Sequence, residues 1–191
     1  MLLSRLQSVV RACVLLTLCS ALGLACTIEP QSELEPESEP QWLALVEANL
    51  WQPVHVESPH LVVPDKLPPC DTELGVVAEE LNLEQVLSVM TQFCSHVTVE
   101  QPLLHALEQG DSLRLRFWHS ELTAPSSSEA NVALLIGEQL IWSEQFPIPM
   151  QGEYLDLQLS APQDFAQGDA VWFHVDNHGA NEYSLIELSS Y

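Results

Sequence analysis

An antiparallel β-sandwich, of jelly-roll or immunoglobulin-like type, is the fold this sequence predicts. Three observations carry that expectation. Residues 111–119 alternate strictly, with Leu113, Leu115, Phe117 and His119 on one side and Arg114, Arg116 and Trp118 on the other. A strand turns successive side chains to opposite faces, so this pattern half-buries a sheet. Residues 154–160 repeat the pattern, with Leu155, Leu157 and Leu159 set against Tyr154, Asp156 and Gln158. Val132 to Ile136 is almost wholly apolar, as a strand buried on both faces would be, and Gly137-Glu138 supplies a two-residue hairpin into Gln139–Gln145.

The elements follow in chain order. Trp42–Trp51 reads as a short helix or as the first strand. Val76–Met90 fits both periods: helical spacing collects Val77, Leu81, Val86 and Met90, and alternation collects Leu81, Leu83, Leu87 and Val89. The β character of the remainder favours a strand over Gln85–Thr91. His96–Leu103 is expected as a strand with Pro102 near its edge. Ala170–Asp176 and Glu182–Ser189 complete the set. Turn-forming clusters separate these runs: Gln109-Gly110-Asp111, Ala124 to Ser128, Pro147 to Gly152, Ala161-Pro162 and Asn177-His178-Gly179. Short strands at such spacing build sandwiches or barrels.

The first 25 residues read as an export signal. Arg5 and Arg11 precede an apolar run from Ala12 to Ala25, and no acidic residue occurs before Glu29. That run is shorter than the roughly 20 residues a spanning helix needs. Leu22-Gly23-Leu24-Ala25-Cys26 resembles the bacterial lipobox, in which the cysteine is acylated and becomes the new N-terminus. Gly23-Leu24-Ala25 also suits ordinary signal peptidase, and both enzymes would cut the same bond. The expectation is a lipoprotein anchored to a membrane through Cys26, in the cell envelope, the outer membrane or at the cell surface, and otherwise a secreted protein. Residues 26–41 are acidic and proline-rich with little to bury, the composition of an extended tether. Residues 42–191 remain for one β-sandwich domain.

Charge excludes one class of partner. The chain carries 27 acidic residues against 5 lysines and arginines. Beyond the signal only Lys66, Arg114 and Arg116 are cationic. Such a surface repels phosphate backbones, so nucleic acid is not a partner. Beyond the signal three cysteines are left, and with Cys26 assigned to the lipid, Cys70 and Cys94 remain; an even pair in an oxidising compartment reads as a disulfide. It would close a loop worth about 3 kcal/mol in the chain-entropy view.

One dense cluster of functional side chains stands out. Val171 to Asn181 holds His174, Asp176, Asn177, His178 and Asn181 at a strand-loop-strand corner, and His119 ends another strand. If those two strands are neighbours, His119, His174 and His178, or two of them with Asp176, form a metal shell. The simpler reading is structural, because Asn, Asp, His and Gly tolerate left-handed turns and bond their own backbone. The structural reading is preferred, no cofactor is expected, and a metal ion is the alternative. No Gly-x-Ser-x-Gly, His-Glu-x-x-His or phosphate-cradling loop occurs, so catalysis is not expected. A third reading is carbohydrate binding through Trp118, Trp142 or Trp172, since sandwich faces can present flat aromatics to sugars. The partner would then be a glycan or another envelope protein.

Gln101-Pro102-Leu103-Leu104, Trp118-His119, Ile141-Trp142, Phe146-Pro147-Ile148-Pro149 and Phe173-His174 through Asn177-His178-Gly179-Ala180-Asn181 carry a resemblance. On these residues the stretch from Cys94 to Leu188 resembles uncharacterised secreted or lipoprotein domains of myxobacteria and related bacteria. The resemblance implies a β-sandwich and brings no known activity.

Overall fold

The hairpin tip at residues 82–83 shows how local sequence sets the fold. Asn82 and Leu83 both adopt positive φ, 52° and 72°. Paired left-handed residues give a two-residue turn whose twist matches that of the flanking strands. The segment whose apolar spacing fits both periods is therefore two strands, not one. The computed structural model describes residues 41–61 and 70–191.

Eleven strands are described: β1 (Leu43–Ala44), β2 (Gln52–Val54), β3 (Val76–Leu81), β4 (Glu84–Met90), β5 (His96–Pro102), β6 (Ser112–His119), β7 (Ser128–Ile136), β8 (Gln139–Ile148), β9 (Glu153–Ser160), β10 (Ala170–Asp176) and β11 (Glu182–Ser190). One sheet, sheet A, runs β3-β4-β11-β6-β9, with β1 added to β11. The other, sheet B, runs β2-β5-β10-β7-β8. Every pairing is antiparallel. The two sheets form the β-sandwich that the alternation predicts.

The helix alternative for Trp42–Trp51 is not realised. The only described helix is the single turn α1 (Thr72–Gly75), capped by the Asp71 side chain on the Leu74 N–H. Leu45 and Trp51 are buried in the core between β1 and β2, so an irregular path serves them better than a regular face. Cys70 and Cys94 are bonded, as the pair beyond the signal predicts, and tie the residue before the Asp71 cap of α1 to the turn after β4.

The inner faces interdigitate as one core. Phe117 on β6 sits at its centre, with ring centroids 5.3 Å from Trp142, 5.8 Å from Phe146, 6.3 Å from Phe173 and 6.4 Å from Tyr183. Each fully buried side chain of this size contributes about 1.5–3 kcal/mol by leaving water. Because β6 and β10 both alternate, their odd-facing residues are fixed: Leu113, Leu115, Phe117 and His119 point inward, and so do Val171, Phe173 and Val175. Their alternates form the two outer faces.

Candidate functional site: two outer faces and a polar corner

The corner from Asn177 to Asn181 is a closed hydrogen-bonded knot. Asn177 donates through Nδ2 to Thr91 Oγ1 at 2.7 Å and to the Gly179 carbonyl at 3.0 Å. Its Oδ1 accepts from Asn181 Nδ2 at 3.0 Å and from the Tyr183 hydroxyl at 2.8 Å. The Asn181 N–H donates to Thr91 Oγ1 at 2.8 Å, and Asn181 Oδ1 accepts from the Thr123 N–H at 2.7 Å. Thr91, Asn177, Asn181 and Tyr183 are buried. Burial pushes the Tyr183 phenol well above its ordinary pKa, so it stays a neutral donor. Gly179 lies at φ +123°, and a Cβ there would stand 2.1 Å from the Thr123 carbonyl oxygen. Only glycine fits. Every polar group of this knot is committed to the fold.

The histidines do not converge. β6 belongs to sheet A and β10 to sheet B, so the neighbouring of their strands, on which a shared shell depends, does not occur. His119 points into the core, its ring 4.7 Å from Phe146 and 6.1 Å from Tyr183, with Nδ1 on the Ser120 carbonyl at 2.8 Å. His174 lies on the outer face of sheet B, buried, with Nδ1 2.9 Å from Thr98 Oγ1. Asp176 pairs with His96 at 3.2 Å, His178 is exposed on the loop, and Asn181 is in the knot. Among the described residues no group of three or more His, Cys, Asp or Glu side chains is arranged to hold a metal. Cys26 lies outside the described residues.

The outer face of sheet B is covered by its own chain. Leu61 is buried against Ala133 and Leu135, with Val56, Leu140 and Trp172 packed around them. The segment after β2 therefore crosses this face. Beneath it Trp172 spends its indole N–H on Glu100 Oε2 at 2.6 Å, and His96 and His174 pack edge to face at 5.0 Å. A recess of about 330 Å³ remains between His60, Asn131, Gln145 and His174.

The β6–β9 half of sheet A is different. Trp118 lies directly opposite Tyr154 in the register, Arg116 opposite Asp156 and Arg114 opposite Gln158. Tyr154, Asp156, Gln158 and Ser160 are all exposed, Tyr154 at 50%. Arg114 forks onto Asp156, with Nε to Oδ1 at 2.9 Å and Nη2 to Oδ2 at 2.6 Å. That pair raises the Arg114 pKa and holds the Asp156 carboxyl below the ordinary range. Arg116 reaches across β11 to Glu84 Oε1 at 2.8 Å and pairs with Glu187. Burial opposes its charge, but Glu84 and Glu187 outweigh burial and its pKa is raised. At the far end of the same face Trp42 and Tyr191 pack edge to face at 4.7 Å, with the Arg114 guanidinium 6.0 Å from the Trp42 ring. Tyr191 is 60% exposed.

Of the three tryptophans singled out in the sequence, Trp142 is core, Trp172 is half-buried under covering chain, and Trp118, also half-buried, lies on the β6–β9 half-face beside exposed Tyr154. Tyr154, Tyr191 and Trp42 were not singled out. Tyr154 alternates visibly on its strand, but only the β6–β9 register sets it beside Trp118.

No family model matches this chain, and no curated protein matches it. Among solved structures, a carbohydrate-binding module of family 28 specific for non-crystalline cellulose aligns at 8% identity, covering 60% of this chain and 79% of the module, with a TM-score of 0.43. A variant of a family 29 carbohydrate-binding module aligns at 10% identity over 78% of this chain and 90% of its own, TM-score 0.43. The enzymatically active domain of a bacteriophage tailspike protein aligns at 16% identity over 76% of this chain and 20% of its own, TM-score 0.38.

Proposed function

We propose that the described domain is a non-catalytic binding module for carbohydrate, and that its ligand lies on the β6–β9 half of the sheet A face. The observation that carries this reading is the Trp118–Tyr154 pair, set side by side on an open half-face beside ion-paired arginines. Aromatic faces suit the apolar C–H surface of a pyranose ring, and a polar rim at their edges meets its hydroxyls. The fork of Arg114 onto Asp156 uses only part of the donors a guanidinium carries, so Arg114 is held in place and still has N–H groups to offer, while Arg116 is held by Glu84, Glu187 and Tyr154. The carboxylates of this half-face, Asp156, Glu84 and Glu187, are engaged by those arginines.

The expected test is affinity electrophoresis through soluble polysaccharides. Trp118→Ala and Tyr154→Ala abolish retardation, and Trp172→Ala leaves it intact. Retardation that survives both sheet A changes contradicts the reading. The same proposal places the module outside the cytoplasm, tethered by acylated Cys26. Cys26→Ser then moves the protein from the membrane to the soluble fraction, and a wild-type chain that takes up no labelled fatty acid overturns the anchor.

A further inference from the structure

The two exposed tyrosines of the described chain, Tyr154 and Tyr191, stand at opposite ends of one sheet face. Tyr191 continues β11 past Ser190, and its N–H donates to the Ser112 carbonyl at 3.2 Å. It therefore belongs to the row of Ser112 on β6, while Tyr154 belongs to the row of Trp118. Six residues of strand separate the rows, about 20 Å at the usual rise. Arg114 and Arg116 fill the two rows between, on the same side of β6. Trp42 backs Tyr191 as Trp118 flanks Tyr154.

The charge on this stripe is balanced toward the acidic. Two guanidinium groups face Asp156, Glu84 and Glu187, and each is already ion-paired. The rest of the chain adds a strongly negative field, 27 acidic residues against 5 basic. A uronate or sulfate ester would meet no uncompensated cation here and would be repelled at long range. Neutral hydroxyls meet none of that penalty and find donors and acceptors on the same pairs.

We infer that the ligand is a neutral, extended polysaccharide chain running along β6, with one aromatic platform at Trp118 and Tyr154 and a second at Tyr191 backed by Trp42. This rests on the carbohydrate-binding reading above and adds the ligand's charge, direction and length. Two platforms so far apart require a chain that engages both, so affinity must grow with chain length until both are reached.

The experiment uses the exported domain with a panel of neutral polymers (glucans, xylans, mannans) and acidic ones (polygalacturonate, alginate), followed by titration with oligosaccharides of the neutral polymer that binds. The expected result is retention by a neutral polymer only, with a hexasaccharide bound more tightly than a disaccharide. Tyr191→Ala lowers the hexasaccharide affinity about tenfold, the scale of one lost aromatic anchor, and so narrows the gap between hexasaccharide and disaccharide. Tighter binding of polygalacturonate or alginate, weakened by salt, overturns the inference. So does Trp118-dependent binding that is equal for both lengths or indifferent to Tyr191→Ala, and in that case the carbohydrate-binding reading stands. Absence of binding to every polymer overturns both.

Discussion

The two outer faces of this sandwich are built from similar residues and end in opposite states. Sheet B presents Trp172, His174 and Asp176 along β10, beside His96, Thr98 and Glu100 on β5. Sheet A presents Trp118, Arg116 and Arg114 along β6, beside Tyr154, Asp156 and Gln158 on β9. On sheet B each polar group is spent on a neighbour under a covering segment that buries Leu61. On sheet A the Arg114–Asp156 pair lies at the surface, Tyr154 and Tyr191 are exposed beside it, and Trp118 is half-buried. An aromatic–polar cluster is thus a structural joint where the chain returns over it, whereas among the described residues Tyr154, Asp156 and Gln158 of the β9 row stay exposed.

The largest effect expected from breaking this contrast lies in the corner that closes the loops. Gly179→Ala forces a side chain into a left-handed backbone and onto the Thr123 carbonyl. A loss of at least about 2 kcal/mol is expected in chemical denaturation. A variant as stable as the parent would show that the knot rearranges freely.

Next comes the covered face. His174→Ala should cost about 1–3 kcal/mol, because Thr98 Oγ1 loses its buried partner. Zinc or copper should leave the melting temperature of the parent unchanged. A melting temperature raised by metal and abolished by His174→Ala would restore the metal reading, since a ligand that binds only the folded state stabilises it by mass action. Trp118→Ala on the open face should shift the melting temperature less than His174→Ala does, while removing polysaccharide binding. Equal thermal losses would erase the distinction between the faces.

The smallest effect concerns charge. Glu182, on β11, has its pKa raised, first by burial and then by the like charge of Glu79. A carboxyl whose pKa rises on folding favours the folded state while protonated and opposes it once ionised. Its contribution is therefore present at pH below its ordinary 4.5 and lost as pH rises through the raised value. Glu182→Gln should raise the melting temperature at pH 7 and change it little at pH 4. A uniform shift at both values would assign the effect to packing instead.

Much of the fold was legible because alternation needs only neighbours in sequence. The runs at 111–119 and 154–160, the apolar strand at Val132–Ile136 and the Gly137-Glu138 link all appear where expected. Trp42–Trp51 was ambiguous because only Leu43–Ala44 pairs as strand, while Leu45 and Trp51 enter the core from irregular backbone and not from one periodic face. The site was less legible for a related reason. Alternation says which residues share a face of a strand, but not which sheet the strand joins or which strand lies beside it. His119 and His174 looked able to meet, and they are divided between sheets and between inner and outer faces. Asn181 was visible as a turn residue, whereas Thr91, which binds the knot from 90 residues away, carries no local signal. The Arg114–Asp156 fork likewise depends on a β6–β9 register set by distant packing.

The most direct measurement follows the five tryptophan indole N–H signals by NMR as a neutral polysaccharide fragment is titrated into the domain. Each ring reports a different place: Trp51 and Trp142 the core, Trp172 the covered face, Trp118 and Trp42 the two ends of the open stripe. The expected result is that Trp118 and Trp42 shift together and saturably while Trp51, Trp142 and Trp172 stay in place. Saturable shifts at Trp172 with Trp118 unmoved would put the ligand on sheet B and contradict the assignment of the open face.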